Sequence, residues 1–305
     1  MVSVEIERRR QFLLQIAQEL DITSEATSDE IVELYLQNPR FSAKFLKQIE
    51  RTGNINRVLV IGQTGVGKSS LINLMAGEHV APMSDSAVGC TFDFNVYQVE
   101  YNEEMYELID TIGLNEGSKG TVTHKDALKK LVRFIKQNKR GFNCVIFVMA
   151  KGRVFDSFEK NYYLFYKSLL KEDIPALLYV GHCENDVPMS AWLNNSTNVE
   201  ALASFAFAEK ICGTTLEGGY FGDQLKILRE ETRVKMWSAV MAKMLDTPRK
   251  VDADLNMFKQ VWNSICDFFG FNKKFLTDQF HAFIAYLKSL GVDDETLEEI
   301  NSELH

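Results

Sequence analysis

Two periods of apolar residues alternate through the middle of the chain. Short apolar runs at 58–61 (VLVI), 108–109 (LI), 144–149 (CVIFVM) and 174–180 (IPALLYV) read as buried strands. Between them, apolar positions recur at helical spacing. Strand and helix patterns in this order predict an α/β fold, a mostly parallel sheet with helices on both faces. TFDFNVYQVEY at 91–101 instead alternates with period two, as does the start of MYELID, and Asn102-Glu-Glu joins the two. That pair predicts one antiparallel hairpin at a sheet edge. The flanks have helical period only. RRRQFLLQIAQEL, SDEIVELYLQ and SAKFLKQIE precede the strands; MFKQVWNSICDFFGF, FLTDQFHAFIAYLKSL and ETLEEINSEL follow them. The expected division is an N-terminal helical region at 1–53, a central domain at 54–250 and a C-terminal helical region at 251–305.

The first strand runs directly into GQTGVGKSS, which fits G-x-x-x-x-G-K-[ST] at every position. Glycines let a backbone turn back with its N–H groups pointing inward, and the helix that follows adds its positive end. Gly62, Gln63, Thr64, Gly65, Val66, Gly67, Lys68, Ser69 and Ser70 are therefore expected to hold phosphates. Lys68 reaches the β- and γ-phosphates, and Ser69 ligates Mg²⁺. KSSLINLMA reads as the helix, stopped by Gly77.

Asp110-Thr-Ile-Gly113 ends a later strand in the pattern D-x-x-G. A carboxylate at Asp110 holds Mg²⁺ through a water, and the Gly113 N–H senses a γ-phosphate. Thr91, between the two motifs, supplies a hydroxyl that closes onto the metal. The expected metal set is Ser69, Thr91 and Asp110; Lys68, Thr91 and Gly113 are the expected catalytic group. A base site is expected after IPALLYV, where Gly181, His182, Cys183 and Glu184 fill the places of the guanine-reading pattern [NT]-K-x-D. Guanine presents N1–H and N2–H₂ donors, which a carboxylate accepts; adenine presents neither. Glu184 keeps that chemistry on a longer arm, with Asp186 as an alternative, and His182 stacks on the base. Lys210-Ile-Cys-Gly-Thr214 is expected to form the last strand and its loop.

Taken together these motifs resemble the P-loop GTPase class that holds Ras-like and septin-like members. A closer resemblance is to the avirulence-induced and immunity-associated GTPases and the chloroplast outer-envelope import GTPases. GQTGVGKSSLIN, SAVGCTF, DTIGL and KGRVF at 151–155 carry it, over roughly residues 54–245. Val154 interrupts the family's Gly-Arg-aromatic box, and His182 and Glu184 replace the standard Lys and Asp. Leu114 stands where Ras-like enzymes orient water with glutamine, and no arginine finger is assignable. The resemblance implies a slow GTPase that switches between GTP and GDP forms with Mg²⁺, and a homodimer formed through the nucleotide-binding domain. A nucleotide-binding scaffold without useful turnover and a P-loop ATPase stay open as alternatives.

Composition narrows the partners. The chain has 305 residues, 46% hydrophobic and 25% charged, with a net charge of −8. An acidic balance of this size is not the signature of a nucleic-acid binder. No stretch approaches the ~20 apolar residues of a membrane span, and MVSVEIERRR has no apolar run of the signal-peptide kind. The five cysteines are widely spaced, which suits reduced thiols and a cytoplasmic location. Phe258, Trp262, Ile265, Phe268 and Phe269 form an aromatic stripe. Packing on the rest of the protein is its expected role, with peripheral membrane contact as the alternative.

Overall fold

A computed structural model describes residues 55–81, 93–112, 140–154, 156–219 and 221–250, together with Phe134 and Asn138. The expected helical regions at 1–53 and 251–305 lie outside the described residues.

Chain order is β1 (Asn56–Ile61), α1 (Lys68–Ala76), β2 (Asp93–Tyr101), β3 (Glu104–Ile112), β4 (Cys144–Ala150), α2 (Asp156–Asn161), a π-helix (Tyr162–Leu169), β5 (Ala176–Gly181), α3 (Ala191–Asn194), α4 (Ser196–Ala201), β6 (Glu209–Cys212) and α5 (Gly222–Lys243). The six strands form one sheet in the order β2-β3-β1-β4-β5-β6. All neighbours are parallel except the β2–β3 hairpin. This is the predicted α/β architecture of a P-loop G domain, a mostly parallel sheet with an antiparallel edge hairpin and helices on both faces. Asn102 and Glu103 both have positive φ, 50° and 66°. That is the geometry of a two-residue turn whose twist matches the flanking strands.

Strand residues alternate between two apolar layers. Leu59, Ile61, Val145, Phe147, Leu178 and Val180 face a cluster with Phe158, Tyr162, Phe165 and Tyr166. Val58, Val60, Leu108, Ile146, Val148, Leu177 and Tyr179 face α1 and α5 through Leu71, Ile72, Met75, Met236 and Trp237. Both faces of the inner strands are covered, so those strands read as unbroken apolar runs. Trp237 is fully buried; it stacks on Tyr101 at 4.5 Å and donates its indole N–H to the Met75 carbonyl at 2.9 Å. Three elements, α5, α1 and the edge hairpin, meet on that one side chain.

The amino ends of β1, β3 and β4 are tied by a buried polar cluster. Arg57 donates from Nε to Glu107 and from its two terminal nitrogens to the Gly141 carbonyl and Asn138 Oδ1, each at 2.7 Å. Phe142 and Arg249 exchange backbone hydrogen bonds, and Leu245 donates to the Asn143 carbonyl. A Cβ on Gly141 would overlap the Arg249 carbonyl. The strand carboxyl ends, and the loops that follow them, lie at the opposite edge.

Candidate nucleotide site

In open parallel sheets, ligands bind beyond the carboxyl ends of the strands, where the chain order reverses. Here the reversal lies at β1, which has β3 on one side and β4 on the other. Residues 62–67 turn at that point. A Cβ on Gly62 would come within 2.6 Å of the Val148 carbonyl, so the loop starts pressed against β4. Gly65 and Gly67 have φ of 79° and 96°, and their added Cβ would meet nothing within 4 Å. These two glycines are required by backbone conformation, not by space. α1 begins immediately after, with Gly67 as its N-cap, no side-chain cap and no acidic residue in the first turn. An anion is the natural complement of such a helix end.

Lys68 is buried and its Nζ donates to the Gln63 carbonyl at 3.2 Å, folding the side chain back over the loop. Ser157 of α2 donates to Gln63 Oε1 at 3.0 Å. From β3, Asp110 stands in register with Val60 of β1. Ser69 Oγ donates to Asp110 Oδ2 at 3.4 Å. Burial holds the Asp110 carboxyl above its ordinary pKa, against the opposing pull of the Lys68 charge and the Ser69 hydrogen bond. Its other oxygen, Oδ1, is buried without a hydrogen-bond partner. A desolvated carboxylate with an unmet acceptor beside a serine hydroxyl is a fitting donor set for a hydrated divalent cation. Thr91, Gly113 and Leu114 lie outside the described residues.

The loop after β5 lies along the same edge. His182 is exposed with φ 63°, and Cys183 is buried behind it. The Asp186 N–H donates to the Cys183 carbonyl at 3.1 Å and closes a turn with Glu184 at its second position. The Cys183 N–H donates to the Gly213 carbonyl at 3.1 Å, fixing the turn to the segment after β6. From the end of β4, the Lys151 N–H donates to the Gly181 carbonyl at 2.9 Å, and its ammonium pairs with Asp186 Oδ1 at 2.5 Å. Glu184 Oε2 and Asp186 Oδ2 are both buried without hydrogen-bond partners. Behind them the Cys183 thiol donates to the Val180 carbonyl at 3.5 Å. The neighbouring Cys212 thiol, with burial second, pushes the Cys183 thiol up.

The structure thus brings together Gln63, Lys68, Ser69 and Asp110, and places His182 and Glu184 at the same sheet edge. Residues 209–212 form β6, and Gly213 follows, as expected from Lys210-Ile-Cys-Gly-Thr214. The Lys151–Asp186 pair was not anticipated. Its partners are 35 residues apart in sequence, and only the β4–β5 register, which pairs Ala150 with Gly181, brings them together. KGRVF and GHCEND each carry a charged residue just beyond a buried strand, and that was the available signal.

Comparison with known proteins agrees with this geometry. Residues 57–180 match the family described as 50S ribosome-binding GTPase. The match, to a P-loop GTPase domain, covers about two fifths of the chain. The G domain is 34% identical over 102 residues to GTPase Der of Fusobacterium nucleatum, covering 33% of this chain and 22% of that protein. It is 39% identical over 94 residues to GTPase Der of Pseudomonas aeruginosa, covering 30% of this chain and 18% of that protein. The chain therefore spans only about a fifth of the length of these relatives. Among solved structures, Toc33 from Arabidopsis thaliana in complex with GDP and Mg²⁺ is 19% identical, covering 76% of this chain and 98% of that one, with a TM-score of 0.42. A variant of SsGBP is 16% identical, covering 74% of this chain and 67% of that one, with a TM-score of 0.38.

Proposed function

We propose that this G domain binds GTP and GDP with Mg²⁺, hydrolyses GTP slowly, and acts as a nucleotide-dependent switch. The observation that carries the proposal is Asp110: a buried carboxylate on β3, hydrogen-bonded to Ser69, with Lys68 beside it and one oxygen unsatisfied. A buried acceptor of this kind costs stability unless a ligand completes it, and the ligand that suits Asp110, Ser69 and a helix N-terminus together is a metal–phosphate.

In this account residues 62–70 wrap the phosphates with backbone N–H groups and Lys68 neutralises their charge. Ser69 and Asp110 would hold Mg²⁺, joined by Thr91 in the GTP form. The metal would supply positive charge that offsets the phosphates. Thr91 and Gly113 close on the γ-phosphate and relax after its loss, an order–disorder switch. Water attacks the γ-phosphorus as its bond to the β,γ-bridging oxygen breaks, releasing GDP and phosphate, and is positioned by backbone groups because Leu114 offers no polar side chain. Glu184 accepts from the guanine N1–H and N2–H₂, and His182 covers the ring. Its unsatisfied, buried Oε2 favours this over adenine, whose corresponding edge has an acceptor at N1 and no N2 amine.

The finer family assignment we favour is the avirulence-induced and immunity-associated class, with homodimerisation through the G domain. The helical regions at 1–53 and 251–305 are appended to a G domain at 54–250 in the same reading, and the protein acts in the cytoplasm. Among the described residues, no helix is long and apolar enough to cross a membrane. The test is phosphate release over several turnovers with GTP and Mg²⁺, with Ser69→Ala as control. Slow release that vanishes in the control supports a GTPase; release no faster than the control leaves a nucleotide-binding scaffold.

A further inference from the structure

We infer that Lys151 is a specificity-positioning residue: its ion pair with Asp186 sets the place of the Glu184 carboxylate, and so the discrimination between guanine and bases that lack its N2 amine. The inference rests on the proposed base site.

Glu184 sits on a short turn with three ties. At one end the Cys183 N–H is bound to Gly213 beyond β6, and across the turn the Asp186 N–H is bound to the Cys183 carbonyl. At the other end Asp186 Oδ1 is bound to Lys151 Nζ at 2.5 Å, the only side-chain ion pair on the turn among the described residues. Lys151 is itself anchored through its backbone N–H to Gly181, the last residue of β5. One residue therefore links the end of β4 to both ends of the base loop. Burial of the Glu184 and Asp186 oxygens adds an electrostatic reason. Two carboxylates two residues apart repel in a partly desolvated loop, and the Lys151 ammonium, paired with Asp186 Oδ1, offsets that repulsion. Without it, the turn relaxes by separating Glu184 from Asp186.

A displaced carboxylate changes the two guanine contacts unequally. A bidentate acceptor must face N1–H and N2–H₂ together, whereas a shifted one keeps a single donor. Inosine diphosphate keeps N1–H and lacks the N2 amine, so the ratio of GDP to inosine diphosphate affinity reads the geometry of Glu184. A loop that is merely loosened loses affinity for both nucleotides by the same factor.

The experiment titrates the full chain with GDP, inosine diphosphate and ADP in Mg²⁺, comparing wild type with Lys151→Met, Asp186→Asn and the double variant. The account expects wild type to rank GDP above inosine diphosphate and both above ADP. Lys151→Met is expected to lower the GDP to inosine diphosphate ratio about tenfold, and the double variant to resemble a single one because the pair acts as a unit. An unchanged ratio in Lys151→Met, with wild type still rejecting ADP, overturns the role of Lys151 and leaves the base reading standing. Equal binding of GDP and ADP by wild type overturns both.

Discussion

In the proposed function, the phosphate loop and the base loop are two solutions to holding one ligand. The first is local. Within residues 62–70, two left-handed glycines, a helix N-terminus and one lysine make most of the site, with Asp110 and Ser157 reaching it from elsewhere among the described residues. The second is assembled from the ends of three strands, with Lys151, residues 183–186 and Gly213 contributing one tie each. A site made of consecutive backbone groups tolerates almost no change of sequence, whereas a site made of side chains from separate strands can trade one residue for another. This chain keeps the full phosphate motif and departs from the usual base motif at His182 and Glu184.

The comparison is broken most directly at Lys68. Lys68→Ala removes the charge-assisted contact to phosphate, worth ~3 kcal/mol or about 100-fold in affinity. Titration with a fluorescent GDP analogue checks it, and the loss should be the same for every base. Glu184→Gln should act the other way. It keeps one acceptor and adds a donor, so GDP affinity falls about tenfold while xanthosine diphosphate, which has a carbonyl in place of the N2 amine, binds more tightly than to wild type. Competition between the two diphosphates measures the exchange.

Asp110 gives a pH signature. Its folded pKa is raised by burial, so its contribution to stability of the nucleotide-free protein is fully present below its unfolded pKa. That contribution is lost as pH rises through the folded pKa. Mg²⁺–GDP needs the ionised form. Its affinity should therefore rise with pH across that window, with proton release seen by calorimetry in buffers of different ionisation enthalpy. In Asp110→Asn both the pH dependence and the proton release should disappear. The smallest effect on binding is expected at the far edge of the sheet. Arg57→Met removes the 2.7 Å ion pair to the buried Glu107 and costs ~3 kcal/mol of stability, seen as a lower melting temperature. The GDP to ADP preference should stay unchanged.

How much of this was visible in the sequence follows the same division. The β1–loop–α1 unit, the edge hairpin and the Gly77 helix stop were legible because each is encoded by neighbouring residues. Gly77, for instance, caps α1 with φ 75° and donates to the Asn73 and Leu74 carbonyls. The π-helix at Tyr162–Leu169 was not legible. Its aromatic residues suit any helix, and the wider turn shows only in bonds such as the Leu170 N–H to the Phe165 carbonyl. The Arg57 cluster was likewise hidden, because its partners Glu107, Asn138 and Gly141 are 50 to 84 residues away. For the base loop the carboxylate was legible and its support was not. GHCEND offers two acidic residues, of which motif position ranks Glu184 first, and the Lys151 ion pair engages Asp186, in keeping with the proposed role of Glu184 at the base.

The central claim is that one sheet edge carries both a phosphate site and a guanine site. Displacement of a bound fluorescent GDP analogue by GTP, GDP, ATP and ADP in Mg²⁺, with Lys68→Ala alongside, tests it most directly. The account predicts displacement by GTP and GDP only, and about 100-fold weaker binding of the analogue to the variant. Equal displacement by ATP and ADP would contradict it, because Glu184 would then have no part in reading the base.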